Sequence, residues 1–281
     1  MTLVAVPFGL EVAAGYANTI RRAAFNRKKN DPAYNGPIII AEGDSWFCYP
    51  AEFPFAPADS PKDMIRWLAE EFAILDVGVP GALAAQYRDQ FAGFDGNGGL
   101  RQELLTHEPD ILLLSGGGND LLGDLEKHLP GGDRPLEQYL AGGFRKVMDD
   151  VIRDLEWVAR RSVETVTTKD LAVIFNGYDE AVPGKGGDWL QGPMTRLGIP
   201  AGKQGRLVDL MIKRFNEALR DLTKRLDRDF GGTPGRFAVA DTVGVTGRSR
   251  WYNEIHPNSE WFRDVAARFR RSILQAVPLV A

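Results

Sequence analysis

Five runs of about five mostly apolar residues punctuate this 281-residue chain, and each stops at glycine or a small polar residue. They are Pro37–Ala41 before Glu42-Gly43-Asp44-Ser45, Phe72–Val77 before Gly78-Val79-Pro80-Gly81, Asp110–Leu114 before Ser115-Gly116-Gly117-Gly118-Asn119-Asp120, Leu171–Phe175 before Asn176-Gly177, and Arg236–Ala240 before Asp241. A strand with one wet face alternates apolar and polar residues, whereas a near-continuous apolar run predicts a strand covered on both faces. Helical periodicity fills the intervals: Met64–Phe72, Ala82–Phe91, Leu100–His107, Phe144–Val166, Leu207–Phe230 and Trp261–Val277. Alternation of this kind predicts an α/β fold with a five-stranded parallel sheet and helices on both faces. The flavodoxin-like order 2-1-3-4-5 is the expected topology.

Composition supports a packed domain. Hydrophobic residues make up 44% and charged residues 26%, which suffices for a large core. A net charge of -4 gives no bulk attraction to nucleic acid or an anionic membrane, so neither is expected as a partner. The local exception is Arg21, Arg22, Arg27, Lys28 and Lys29, read as a solvated helix face. The single cysteine, Cys48, excludes an internal disulfide. Residues Leu3–Ile20 are mostly apolar, but Pro7, Gly9 and Glu11 interrupt them and the basic residues follow instead of preceding them. That order fits neither a secretory signal nor a membrane span, and it predicts an amphipathic helix packed on the domain. The expected division is an N-terminal helical extension over 1–36 and a catalytic domain over 37–281, in a cytoplasmic protein with no integral membrane segment.

In an open α/β sheet, ligands bind outside the carboxyl ends of the strands, so the punctuating residues are the first place to look for chemistry. Ser45 sits on the turn after the first strand, where a nucleophile is rigidly held and exposed on one side. Gly81 offers a backbone N–H with no Cβ in front of it. Asn119 can donate its amide to an oxyanion from a glycine-rich loop. His256 stands just ahead of the last helix. The other histidines fit a site less well: His107 precedes the third strand, at the wrong end of the sheet, and His128 lies in a charged, solvated loop. Two long connections rich in Gly and Pro, Gly123–Gly143 and Asn176–Gly205, leave the same edge and read as pocket walls. Trp46, Phe47 and Tyr49 are candidates for pocket lining or for core, and Asp44 for tying down its own turn. Cys48 has no histidine nearby in sequence, no Cys/His set has metal-ligand spacing, and no Walker A motif occurs.

Four blocks in order, Gly43-Asp44-Ser45, Gly78-Val79-Pro80-Gly81, Gly117-Gly118-Asn119-Asp120 and His256-Pro257, resemble those of the SGNH (GDSL-type) hydrolase superfamily. The likeness runs from about Ile38 to Val277. It implies a three-layer α/β/α sandwich, a carboxylic ester substrate, lipid or sugar esters among them, and no cofactor. By the same resemblance Ser45 is the nucleophile and His256 its base, with the N–H groups of Ser45 and Gly81 and the Asn119 amide forming the oxyanion hole.

One position departs from the pattern. The family places an aspartate three residues before its histidine, and here that residue is Asn253. An aspartate fixes the imidazole tautomer and stabilises the imidazolium; in the serine-protease triad its change to asparagine lowers kcat by about 10⁴. Asn253 can still accept the Nδ1–H bond, and Glu254 and Asp241 are the carboxylates available to replace it. Esterase, lysophospholipase, thioesterase, sugar O-deacetylase and acyltransferase chemistry all fit these residues. A catalytically silent binding module on the same scaffold is the reading from another class.

Overall fold

The computed structural model describes residues 21–49, 62–93, 99–231 and 234–280. Each apolar run becomes a strand: β1 (Ile38–Glu42), β2 (Ala73–Asp76), β3 (Ile111–Leu114), β4 (Ala172–Asn176) and β5 (Phe237–Ala240). All pairings are parallel and the order is β2-β1-β3-β4-β5, the topology expected from the sequence. The central strands β1, β3 and β4 explain why their sequences do not alternate. Ile39, Ile40, Leu112, Leu113, Val173 and Ile174 are all fully buried, because helices cover both faces.

The helices form the two outer layers of an α/β/α sandwich. α2 (Met64–Leu68) packs against α11 (Ser259–Val280), which also covers β3, β4 and β5. The other layer joins α3 (Tyr87–Ala92), α4 (Gly99–His107), α8 (Gly143–Thr165) and α10 (Ala201–Asp229). In α10 the buried residues Leu207, Val208, Met211, Phe215, Leu219, Leu222 and Leu226 recur at helical spacing, so a single apolar stripe fixes its roll on the sheet. Among the described residues no helix is long and apolar enough to cross a membrane.

Three expectations need correction. The basic cluster is a solvated face at Arg27 but not at Arg21, Arg22 or Lys28. In α1, whose described part spans 21–29, Arg21 forms ion pairs with Asp63 and Asp76 and is almost wholly buried. Arg22 makes a bidentate pair with Glu103 on α4, at 2.9 and 2.7 Å, and Lys28 Nζ donates to the carbonyls of Ala69 and Glu70. Phe25 is buried on the same helix. The cluster therefore docks α1 at the β2 edge, which a bare edge strand requires in some form. The expected helix over Leu3–Ile20 lies outside the described residues.

The second correction concerns the connection after β3. Gly123–Gly143 contains two short helices, α6 (Leu125–His128) and α7 (Leu136–Tyr139), and His128 is buried with Nε2 3.0 Å from the Leu121 carbonyl. It is a core residue and not a solvated one. Third, Ala82–Phe91 is a one-turn 3₁₀ segment, Ala84–Gln86, leading into α3.

Candidate active site

The first strand delivers its functional residue by a sharp exit. After Glu42 the chain makes a single turn in which the Asp44 carbonyl accepts from the Phe47 and Cys48 N–H groups, at 3.0 and 3.1 Å. Gly43 permits this turn: a Cβ there would come within 2.8 Å of both Phe47 and the Ser115 side chain. The Asp44 side chain caps the turn, accepting from the Trp46 N–H at 3.1 Å, as an Asx turn does. Ser45, the next residue, sits where β1 opens towards the loops of β3 and β4.

His256 is presented by a small closed loop. An antiparallel bridge joins Trp251 and Pro257, and the Tyr252 N–H donates to the His256 carbonyl at 2.9 Å. Inside the loop, Asn253 Oδ1 accepts from the N–H groups of Ile255 and His256, at 3.0 and 2.8 Å. The same Oδ1 lies 3.1 Å from His256 Nδ1, and His256 Nε2 lies 2.7 Å from Ser45 Oγ.

These contacts settle the proton positions. Two backbone donors identify the inner Asn253 atom as the carbonyl oxygen, since an amide nitrogen cannot accept from them. Nδ1 must then carry the imidazole proton, which leaves the Nε2 lone pair facing the Ser45 hydroxyl. The sequence-expected serine, histidine and asparagine thus form one hydrogen-bonded line. Burial pushes the His256 imidazole down to about 3, because desolvation penalises the charged ring.

Ser45, Asn119 and His256 line one narrow cleft with Trp46, Leu122, Tyr178, Ala181 and Ile255, and its free volume is about 20 Å³. Asn119 is on the first turn of α5 (Gly118–Leu122), and its Nδ2 donates to the Ala82 carbonyl at 3.0 Å. Gly81 is exposed in the adjoining loop, outside the lining of this cleft, with a φ of 77° that favours glycine. The structure therefore brings Ser45, Asn119 and His256 together and leaves Gly81 beside them, on the turn that Asn119 ties down.

The two carboxylates expected as replacements for the missing aspartate do other work. Glu254 is fully buried, and its oxygens accept from the N–H groups of Gly184, Trp189, Leu190 and Gln191 at 2.7–2.9 Å. It clamps the loop that runs into α9 (Gln191–Arg196). Asp241 is exposed and takes Arg220 at 3.1 Å. Both partnerships occupy carboxylates that the sequence offered to the imidazole, and Asn253 holds the ring instead.

Aromatic residues after the serine divide between two roles. Trp46 lines the cleft, donates Nε1 to the Ile255 carbonyl at 3.1 Å, and meets Tyr178 edge-on. Tyr49 packs on the His256 ring with centroids 4.5 Å apart. Phe47 is core, against Phe269. Cys48 is buried, and burial pushes its thiol well up, which disfavours the thiolate. His107 lies at the end of α4 beside Glu103, away from this cleft.

Sequence reading passed over Tyr178, Asp179 and Ile212, which also line the cleft. Tyr178 and Asp179 stand just past the end of β4, so their position at the carboxyl edge was a usable signal. Ile212 comes from the middle of α10 and carried none. Of the two long connections, the one after β4 supplies cleft residues, while Pro135, Leu136 and Glu137 from the one after β3 line a separate surface groove against α10.

No protein-family model matches the chain, and no curated protein matches it. Solved structures do. A lipase from a goat rumen metagenome superposes with a TM-score of 0.54 at 17% identity, covering 83% of this chain and 96% of that one. A GDSL-like lipase from Bacteroides thetaiotaomicron superposes with a TM-score of 0.50 at 12% identity, covering 93% and 99%. At such identities the likeness is one of architecture, and this chain has the fold of the GDSL-type hydrolases.

Proposed function

We propose that the protein is a serine hydrolase that cleaves a carboxylic ester through an acyl-enzyme at Ser45. The observation that carries the reading is the 2.7 Å contact between Ser45 Oγ and the unprotonated Nε2 of His256. Nucleophile and base within hydrogen-bond reach, with the base oriented by a third group, is the arrangement that activates a serine. Oγ attacks the acyl carbonyl as its proton passes to Nε2. The tetrahedral oxyanion takes hydrogen bonds from the Ser45 N–H and the Asn119 amide; Gly81, the third donor implied by the resemblance, lies outside the cleft lining. Collapse expels the alkoxide, which leaves as the alcohol with the Nε2 proton. Water then attacks the acyl-enzyme, giving its proton to Nε2, and the carboxylic acid departs as Ser45 recovers its hydrogen.

Exposure to a fluorophosphonate probe, followed by mass spectrometry, tests the reading. The expected result is phosphonylation of Ser45 and acetyl-ester turnover that falls by at least about 10³ in Ser45→Ala. Labelling at another residue, or none in folded protein, would overturn it.

A further inference from the structure

Directly beneath the serine turn lies a buried carboxylate to which the steps above give no task. Asp44 is 1% exposed. Its Oδ1 accepts from the Trp46 N–H and from Ser115 Oγ at 3.0 Å, and its Oδ2 accepts from the Tyr178 hydroxyl. Ser115 follows β3 and is itself held by Asn176 Nδ2, at 3.0 Å, from the last position of β4. Asp44 thus does more than close its own turn: it fastens the β1 exit to the ends of two other strands.

Tyr178 is the part of this network that reaches both halves of the site. Its backbone is pinned to α10, the N–H donating to Asn216 Oδ1 at 3.1 Å and the carbonyl accepting from Asn216 Nδ2 at 2.8 Å. Its ring is wedged between Trp46 and Phe215. Its hydroxyl donates to Asp44, the residue before Ser45, and lies 3.1 Å from Ser115 Oγ, at the start of the Ser115–Asn119 segment that carries the amide. A Cβ at Gly118 would come 2.9 Å from the ring, so the glycine lets α5 start against the phenol. One oxygen atom therefore spans the two segments that carry the serine and the amide.

Resting on the reading of Ser45 as nucleophile and Asn119 as oxyanion donor, we propose that Tyr178 is a positioning residue whose hydroxyl sets the spacing between them. The ring alone cannot do this, because its packing against Trp46 and Phe215 makes no directional bond to either segment. The hydroxyl makes those bonds. Burial supports the same picture: it holds the Tyr178 phenol well above its ordinary range, so the group stays protonated and remains a donor to Asp44. A displacement of about 1 Å between reacting groups costs on the order of 10² in rate, and such a displacement is what the hydroxyl prevents.

Tyr178→Phe keeps the ring and deletes the oxygen. The expected result is a folded protein with kcat lowered about 10- to 100-fold and KM within about threefold of the parent, since the loss falls on the transition state. Its fluorophosphonate labelling slows in proportion. In a double-mutant cycle, the combined effect of Asp44→Asn and Tyr178→Phe is less than the sum of the two, because the residues share one contact. Phe215→Leu, which disturbs the same ring without touching the hydroxyl, lowers Tm and leaves kcat within about twofold. A parental kcat in folded Tyr178→Phe overturns the proposal, as does a fall in kcat no larger than that of Phe215→Leu. If Tyr178→Phe does not fold, Asp44→Asn alone takes its place, with the same fall in kcat expected and a parental kcat decisive against. Absence of Ser45 labelling in the unaltered protein would instead refute the esterase reading and leave Tyr178 a structural hub only.

Discussion

At the scale of the residue, the unusual feature is a base whose orienting partner carries no charge. Asn253 fixes the His256 tautomer as well as an aspartate would, through the 3.1 Å contact at Nδ1, but its amide oxygen offers only a dipole to an imidazolium. With burial pushing the ring down to about 3, the resting imidazole stays neutral far into acid. Asn253→Asp places a carboxylate against Nδ1, which favours the charged ring and raises the His256 pKa. The sign follows. On the proposed reading the neutral imidazole is the base, so the acid limb of the kcat/KM profile should move to higher pH in the variant. At pH 8, above that limb, kcat should rise because a carboxylate stabilises the imidazolium, and by well under the roughly 10⁴ of the serine-protease triad, where the asparagine also imposes the wrong tautomer. A pH–rate profile on an acetyl ester checks both shifts. This partnership was half legible: Asn253 stood at the family's aspartate position, three residues from His256. The exclusion of Glu254 and Asp241 was hidden, because each is occupied by groups far away in sequence, backbone N–H donors in one case and Arg220 in the other.

At the scale of the element, the decisive pieces are short loops held by buried side chains. Glu254 illustrates the cost of holding them. Its four backbone donors lie on 184–191, and its own backbone carbonyl accepts from Val182 at 3.0 Å. Replacement by glutamine turns an amide nitrogen toward donors and removes the charge that strengthens their bonds. Glu254→Gln should lose about 3 kcal/mol of unfolding free energy, measured by urea titration. Long elements were far easier to read than these loops. The α8 and α10 stripes announce themselves in sequence because one face must be apolar over many turns. The four-residue helices α6 and α7 escape detection, since a single turn has too few residues to display a period. Tyr178 escaped for a related reason. Its place beside β4 was visible, but its partners are fixed only once β1, β3 and β4 lie side by side.

At the scale of the whole molecule, the parallel sheet does most of the organising. Its order could be anticipated from five punctuated apolar runs, and that order puts every strand's carboxyl end on one rim. The edge was harder to foresee. Charges at 21–29 read as solvent-facing until their partners, Asp63, Asp76 and Glu103, are seen converging from three separate segments. Arg21 is the centre of this docking. It meets Asp63 at the N-cap of α2 and Asp76 at the end of β2, and both carboxylates are buried. Arg21→Ala removes a counter-charge from two buried carboxylates, and the expected loss is about 3 kcal/mol, read as a lowered urea midpoint with an unchanged slope.

The 211-residue separation of Ser45 from His256 carries a last implication. A polypeptide emerging from the ribosome exposes its serine early, but the imidazole arrives only with the final loop before α11. Until that loop docks, the hydroxyl has no proton acceptor and is chemically inert. On the proposed reading, hydrolytic competence is therefore a late event of biosynthesis.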